Sequence, residues 1–550
     1  MLDAYGVSHI FMVPAVLRRT MAELEASTHI NRLHVHSEAS AAYMADGYAR
    51  ASGKPGVCMA QVVGALNLAA GLRDAWLAHA PVIALTGGRD PSTKFKQVYQ
   101  EVDDLPAFEP VTKFNATIDH VERIPDMLRQ AFRVATSGCP GPVHLQFRGN
   151  EGQIDQEEGE MSVFHEPRHQ QIPAFRFPAD LEDVKAALAS LTSAQKPIFV
   201  IGGGARHSQA GQVLSTLCER LNIPFATSLN GKDVISGNHP LCVGVVGTYS
   251  RESANMAVMA ADLVCFVGSE TGSMVTNFWK APRPGARVIQ IDIEPTALGR
   301  NYELEVALNG DIREVAGQML ELMEKSSMGL NNQRAEWLTQ CQGFKAKWLD
   351  KYRGFLESED IPIRPERLCQ CLTETMPEEA LIVVDTGHAG MWMGGIFELK
   401  SSNQSYIRSA GHLGWAFPAS LGAKCAQPDR PVVCFTGDAG FWYHIAEIEV
   451  AVRWGINSVT VVNNNSGGNQ SKRGFDRAYG GEQTVKAREL WTFRPTNFAA
   501  IATSLGAVGL RVEKPSELKP TLEKAYRMKS PVVIDVVSDI EALAPVAFAG

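Results

Sequence analysis

The sequence predicts an α/β protein made of three doubly wound parallel-sheet domains. Three observations carry that expectation. Short valine- and isoleucine-rich runs recur along the 550 residues and alternate with stretches whose apolar residues fall at helical spacing. Two polar stretches, 150–178 and 323–364, separate blocks of this kind at residues 1–155, 178–325 and 360–550. In the third block, Asp438 and Asn465 stand 27 residues apart, each just past an apolar run, which is about one strand–helix–strand unit.

In the first block the runs 9–13, 56–63, 82–86 and 142–147 read as strands. Behind Glu38 an alanine-rich stretch reads as a helix, with the carboxylate where the helix dipole favours it. The second block has strands at 198–201, 263–267 and 288–293. Gly202-Gly203-Gly204 after the first of them is a weak nucleotide signal and equally a tight strand-to-helix turn. The stretch 323–364 reads as a charged helical connector. In the third block 381–384, 431–436, 458–462 and 532–537 read as strands. Phe441, Ile445, Ile448 and Val452 place one amphipathic helix between the middle two. The pattern of 47–58 is repeated at 422–434, so the first and third domains are expected to be related.

Composition narrows function. Apolar residues make up 45% of the chain and charged ones 20%, ordinary globular values. A net charge of −8 leaves no basic footprint for nucleic acid. No apolar run reaches membrane-spanning length, and the amino end lacks a charged-then-apolar leader. The ten cysteines form no Cys-x-x-Cys pair and, like Cys58, Cys265 and Cys434, fall in apolar elements. That points to reduced, buried thiols in a cytoplasmic protein rather than disulfides.

The chemistry concentrates in Gly437-Asp438-Ala439-Gly440 and Asn463-Asn464-Asn465. Parallel strands release both at their carboxyl ends, where open α/β sheets bind ligands. One carboxylate and one amide oxygen form a hard donor set suited to Mg²⁺, which shares its other positions with phosphate and water. Taken singly, the aspartate is also an ordinary helix cap and the asparagines an ordinary loop.

Together these motifs resemble the thiamine-diphosphate (ThDP) enzymes, in the branch of acetolactate synthase, benzoylformate decarboxylase and 2-hydroxyacyl-CoA lyase. The signature there is Gly-Asp-Gly, an amphipathic helix, then Asn-Asn; here Ala439 replaces the last glycine. The run from His36-Ser37-Glu38 to Asp46-Gly47-Tyr48-Ala49-Arg50 is similar to the family's His-Glu-Gln-x-Ala-Ala-x-Met-Ala-Asp-Gly-Tyr-Ala-Arg. Ser409-Ala410-Gly411-His412-Leu413-Gly414 and Asp385-Thr386-Gly387-His388-Ala389 match two further loops, so the resemblance covers nearly the whole chain. It implies a pyrimidine-binding domain at 1–155, a central Rossmann-like domain at 178–325 and a diphosphate-binding domain at 360–550.

Carried over residue by residue, the resemblance makes Asp438, the Asn465 side chain and the Gly467 carbonyl the Mg²⁺ ligands. The backbone of Gly437, Ala439 and Gly440, with Gly387, His388 and Ala389, holds the diphosphate. Gly411 offers its carbonyl to the cofactor's amino group, and Leu413 wedges between the two rings. Glu38 shares a proton with the aminopyrimidine and so activates the cofactor. Gln100, in Tyr99-Gln100-Glu101-Val102-Asp103, helps hold substrate above the thiazolium. The family pairs these domains across subunits, so a dimer or tetramer is expected, with Glu38 of one chain serving the cofactor held by Asp438 of another. Relatives usually have a longer first helix, so either the true start lies upstream of Met1 or that helix is short.

The substrate is expected to be a 2-oxo acid or a 2-hydroxyacyl compound. The loop Gln61-Val62-Val63-Gly64-Ala65-Leu66-Asn67 stands where the family usually has Ser-Gly-Pro-Gly-Ala-Thr-Asn, and it lacks the histidine that decarboxylases place there. Carboligation of 2-oxo acids, as in acetolactate synthase, is the leading reading. The alternatives are a 2-hydroxyacyl-CoA lyase, a 2-oxo-acid decarboxylase and a catalytically silent assembly subunit; retention of Glu38 argues against the last. The central domain shows no arginine–aspartate flavin pattern, and FAD, ADP or CoA stays open there.

Overall fold

Eighteen strands, among the described residues, form three six-stranded sheets in which every pairing is parallel. The computed structural model describes residues 1–326, 334–545 and 547; part of the expected connector, 327–333, and the end of the third domain lie outside them. The first sheet holds β1 (His9–Met12), β2 (Asn31–His34), β3 (Gly56–Ala60), β4 (Val82–Gly87), β5 (Phe114–Ile118) and β6 (Val143–Phe147). The second holds β7 (Pro197–Ile201), β8 (Phe225–Thr227), β9 (Cys242–Val245), β10 (Leu263–Val267), β11 (Arg287–Asp292) and β12 (Val306–Asn309). The third holds β13 (Leu381–Val384), β14 (Ser405–Arg408), β15 (Val432–Gly437), β16 (Val459–Asn464), β17 (Val508–Val512) and β18 (Val532–Val537). Central strands such as β4 and β10 are buried along their whole length, as parallel strands covered on both faces must be.

The outer sheets share one strand order, β2-β1-β3-β4-β6-β5 and β14-β13-β15-β16-β18-β17. The middle sheet runs β12-β11-β10-β7-β8-β9, the order of dinucleotide-binding folds. The likeness of the outer domains extends to their contact. Helix Glu38–Ser52 crosses helix Ala416–Ala426 with no side chain between the backbones: a Cβ on Gly47 would strike the Ala419 carbonyl, and one on Gly422 would strike the Met44 carbonyl. These are the two glycines that the repeated sequence pattern aligns.

Two elements differ from expectation. The 56–63 strand stops at Ala60, and Val62–Gly64 wind into a 3₁₀ turn that opens helix Ala65–Leu77. β1 ends at Met12, opposite Met59, so beyond Ala60 the run has lost one of its two ladders. The single helix expected after Asp438 is two, Asp438–Tyr443 and Glu447–Arg453. The break carries a tertiary contact: His444 Nδ1 lies 2.8 Å from Ser40 Oγ, and Glu447 accepts the His36 N–H at 3.2 Å.

The middle domain is tied to the third by Lys232. Its buried ammonium donates to the carbonyls of Met393 (2.9 Å), Gly394 (3.3 Å) and Phe397 (2.6 Å), at and beyond the carboxyl end of helix His388–Gly395, where a cation is favoured. The glycine run behaves as a tight turn, since a Cβ on Gly202 would meet the Gly268 carbonyl. A cavity of about 370 Å³ opens beside Gly203, Gly204, Ser269 and Asp292.

Candidate active site

β15 and β16 pair in parallel with Gly437 opposite Asn463, so both motifs leave the sheet at one edge. Asp438 is 2% exposed, and its burial pushes the carboxyl up to about 7 against the pull of backbone N–H groups. Its Oδ1 accepts from Ala439 N at 2.9 Å and its Oδ2 from Gly467 N at 3.0 Å. Asn465 Oδ1 accepts the same Gly467 N–H at 3.2 Å. The two expected side-chain ligands therefore converge on one residue, through the Gly467 N–H. Ser466, at φ 59°, makes the tight turn that brings them there. Asn464 faces the other way, donating to Asp535 and Thr496, and is structural.

The donor set fits a small hard cation: a buried carboxylate oxygen, an amide oxygen, and a Gly467 carbonyl that accepts no hydrogen bond from a described residue. Among the described residues no cluster of three His, Cys, Asp or Glu side chains offers a softer metal a site. The diphosphate fits as well. Gly387 sits at φ 67° before helix His388–Gly395, a conformation that glycine adopts without strain, and its Cα faces Gln470 just beyond Gly467. His388 Nδ1 is buried without a partner, and burial, with Arg473 nearby, lowers its imidazole to about 4. Ala389 is buried behind it. Ala439 is half-buried, so its extra methyl is accommodated, whereas a Cβ on Gly440 would run into the Asp385 carboxylate.

Two carboxylates that sequence reasoning did not single out hold the loops. Asp385, at the end of β13, accepts from Thr386 N (2.8 Å), Thr436 Oγ1 (2.9 Å) and Gly414 N (3.2 Å), and burial pushes it up to about 7. Asp74 comes from the first domain. It accepts from Ser409 Oγ (2.9 Å), Ala410 N (2.9 Å), Gly411 N (3.2 Å) and His412 N (3.1 Å), and pairs with Arg50 at 2.8 Å. Arg50 in turn grips Asp46, which accepts the Trp415 indole N–H at 2.7 Å. The loop bearing Gly411 and Leu413 is thus slung between two domains. The readable sign of Asp74 was a lone carboxylate in the alanine- and leucine-rich stretch of helix Ala65–Leu77. Asp74→Ala leaves the four donors of the 409–412 loop without that acceptor and Arg50 with one carboxylate in place of two. It is expected to cost about 3–5 kcal/mol of stability, read as a lower melting temperature together with weaker ThDP binding; an unchanged melting temperature would contradict the clamp.

The first domain gathers a separate cluster. Glu38 opens helix Glu38–Ser52, half-buried, with Oε2 accepting from Asn67 Nδ2 at 2.8 Å. Gly64 lies directly against the same carboxylate. Gln61 Nε2 donates to Gln100 Oε1 at 3.2 Å, so the loop 61–67 touches both expected catalytic residues. Gln100 is held at φ 64°. No hydrogen bond or ion pair among the described residues joins Glu38 or Gln100 to residues 387–389, 411–413, 437–440 or 465–467. One chain brings together two half-sites and leaves them unjoined.

The family description "Thiamine pyrophosphate enzyme, N-terminal TPP binding domain" matches residues 1–107, the central domain 184–319 and the C-terminal TPP binding domain 385–536. A probable acetolactate synthase large subunit of Methanococcus aeolicus is 31% identical over 94% of this chain and 87% of its own length. One from Methanocaldococcus jannaschii is 30% identical over 98% and 90%, and the acetolactate synthase large subunit of Haemophilus influenzae 28% over 99% and 94%. The chain belongs to the thiamine-diphosphate enzyme family and is a ThDP-dependent enzyme. Among the described residues no helix is long and apolar enough to cross a membrane.

Proposed function

We propose that this enzyme joins 2-oxo acids by carboligation, in the manner of acetolactate synthases, with ThDP held through Mg²⁺. The observation that carries the reading is the make-up of the 61–67 loop's contacts: Asn67 bonds the Glu38 carboxylate, and Gln61 bonds the Gln100 amide, with no histidine among them. ThDP, when bound, supplies a nucleophilic carbon and an electron sink beside a carbonyl. Asp438, Asn465 and the Gly467 carbonyl hold the metal. The backbone at 387–389 and 437–440 holds the diphosphate. Gly411 takes the amino group through its carbonyl, Leu413 props the rings apart, and Glu38 holds and returns a proton at its carboxylate. Gln100 orients the substrate. The names of the relatives, acetolactate synthase large subunits, support the substrate class.

The two half-sites are completed between subunits, at least in a dimer. Apolar side chains exposed beside the first cluster support this: Phe95 is 86% and Tyr99 81% exposed, with Val63, Leu66 and Val102 near them in sequence, and Trp442 and Tyr443 follow Gly440 on the other half-site. Ten free cysteines, eight of them buried, support a reducing, cytoplasmic setting.

Amides give up no proton near neutral pH, so beyond Glu38, which serves the cofactor, this cluster supplies the substrate with no donor of the kind worth about 10²–10⁴-fold in rate. Release of free aldehyde is therefore slow, and a second carbonyl is reached first. With pyruvate, products resolved by mass are expected to be mainly acetohydroxy acid or 2-hydroxy-ketone. Mostly free aldehyde at high acceptor concentration would replace carboligation with decarboxylation, and His412, half-buried beside Leu413, would be the first donor to test.

A further inference from the structure

We infer that Asn67 is a positioning residue for Glu38, and that the loop 61–67 is the template that fixes which carboxylate oxygen faces the cofactor. This rests on the proposal that Glu38 exchanges a proton with ThDP. Helices Glu38–Ser52 and Ala65–Leu77 begin side by side, and the two side chains meet between their amino ends. Asn67 Nδ2 donates to Glu38 Oε2 at 2.8 Å and reaches Ser37 Oγ at 3.5 Å. The rest of the carboxylate lies on the bare Cα of Gly64, where any side chain would displace it. Oε1 accepts no hydrogen bond from a described residue. One oxygen is held by Asn67, and the other, packed on Gly64, is left free of hydrogen bonds from described residues.

A held carboxylate needs no rotamer search when the cofactor arrives, and an amide does this without adding charge. A second carboxylate at position 67 would remove the donor and set a like charge against Glu38, favouring its protonated form. The positioning role therefore has a signature beyond rate: it moves the pH at which the site is competent. A merely structural asparagine in the first turn of a helix would move stability alone.

The test compares Asn67→Ala, Asn67→Asp, Glu38→Gln and the double variant Glu38→Gln/Asn67→Asp in the Mg²⁺–ThDP holoenzyme. Asn67→Ala is expected to lower kcat about 10–100-fold with KM nearly unchanged. Asn67→Asp is expected to shift the acidic limb of the kcat/KM profile up by about one pH unit. A second readout is proton uptake when ThDP binds the apoprotein, from calorimetry in buffers of different ionisation enthalpy. Asn67→Asp should change that uptake, and should change neither uptake nor residual rate in the Glu38→Gln background. A wild-type pH profile and proton uptake in Asn67→Asp, with Glu38→Gln inactive, would overturn the role of Asn67 alone. An active Glu38→Gln would overturn the reading beneath it. A lowered melting temperature with no pH shift would make Asn67 structural and also refute the inference.

Discussion

Glu38→Gln is expected to lower kcat by about 10²–10⁴-fold, the usual loss when a positioned acid–base group is removed, while the fold and ThDP affinity stay close to wild type. Glutamine keeps the volume of the side chain at the head of helix Glu38–Ser52 and can still meet Asn67, so the packing against Gly64 survives. What it cannot do is hold a proton and return it. Deuterium exchange at the cofactor's thiazolium carbon, followed by quenched-flow NMR, isolates that step from substrate chemistry. Wild-type exchange in the variant would remove Glu38 from its proposed role.

Asp438→Ala is expected to weaken ThDP binding by about 10²–10³-fold and to abolish its dependence on Mg²⁺, because truncating one partner of a buried charge pair costs several kcal/mol. The other proposed ligands carry no charge to take its place: Asn465 and the Gly467 carbonyl are neutral, and Asn464 is committed to Asp535. The turn at Ser466 also loses one of the two acceptors of the Gly467 N–H. Calorimetric titrations of the apoprotein with ThDP, with and without Mg²⁺, separate the two effects. Normal affinity with a normal metal requirement would mean that the cation sits elsewhere.

Much of this was legible in the sequence, for a physical reason. Central parallel strands are buried on both faces and therefore read as bare apolar runs: β4, β10, β13 and β18 lie within a residue of where the pattern placed them. The strands that left no readable trace are all six sheet edges, β2, β5, β9, β12, β14 and β17, together with the three-residue β8. An edge strand has one neighbour and often an open flank, so Asn31-Arg32-Leu33-His34 carries no apolar signature. The same limit applies to the site. Residues proposed to meet a ligand through backbone or carboxylate sit in glycine- and asparagine-marked turns and could be named. Asp74 and Asp385 act on loops distant in sequence, and their role depends on which strand ends lie together. The break at His444 was likewise set by a neighbour, Ser40, more than 400 residues away. Helical periodicity, blind to that neighbour, continued through it.

The bare crossing of the two glycine helices has a mechanical consequence. Side chains between helices act as springs, since they change rotamer and let the helices slide; carbonyls resting on Cα atoms have no such travel. Gly47 and Gly422 therefore make the two outer domains of one chain a rigid gauge block. In the proposed dimer each chain contributes a pyrimidine-side half to one site and a diphosphate-side half to the other, so the length of that block sets the spacing of both sites at once. A methyl added at either glycine would not loosen one active site. It would put both out of alignment together, from a position that touches neither.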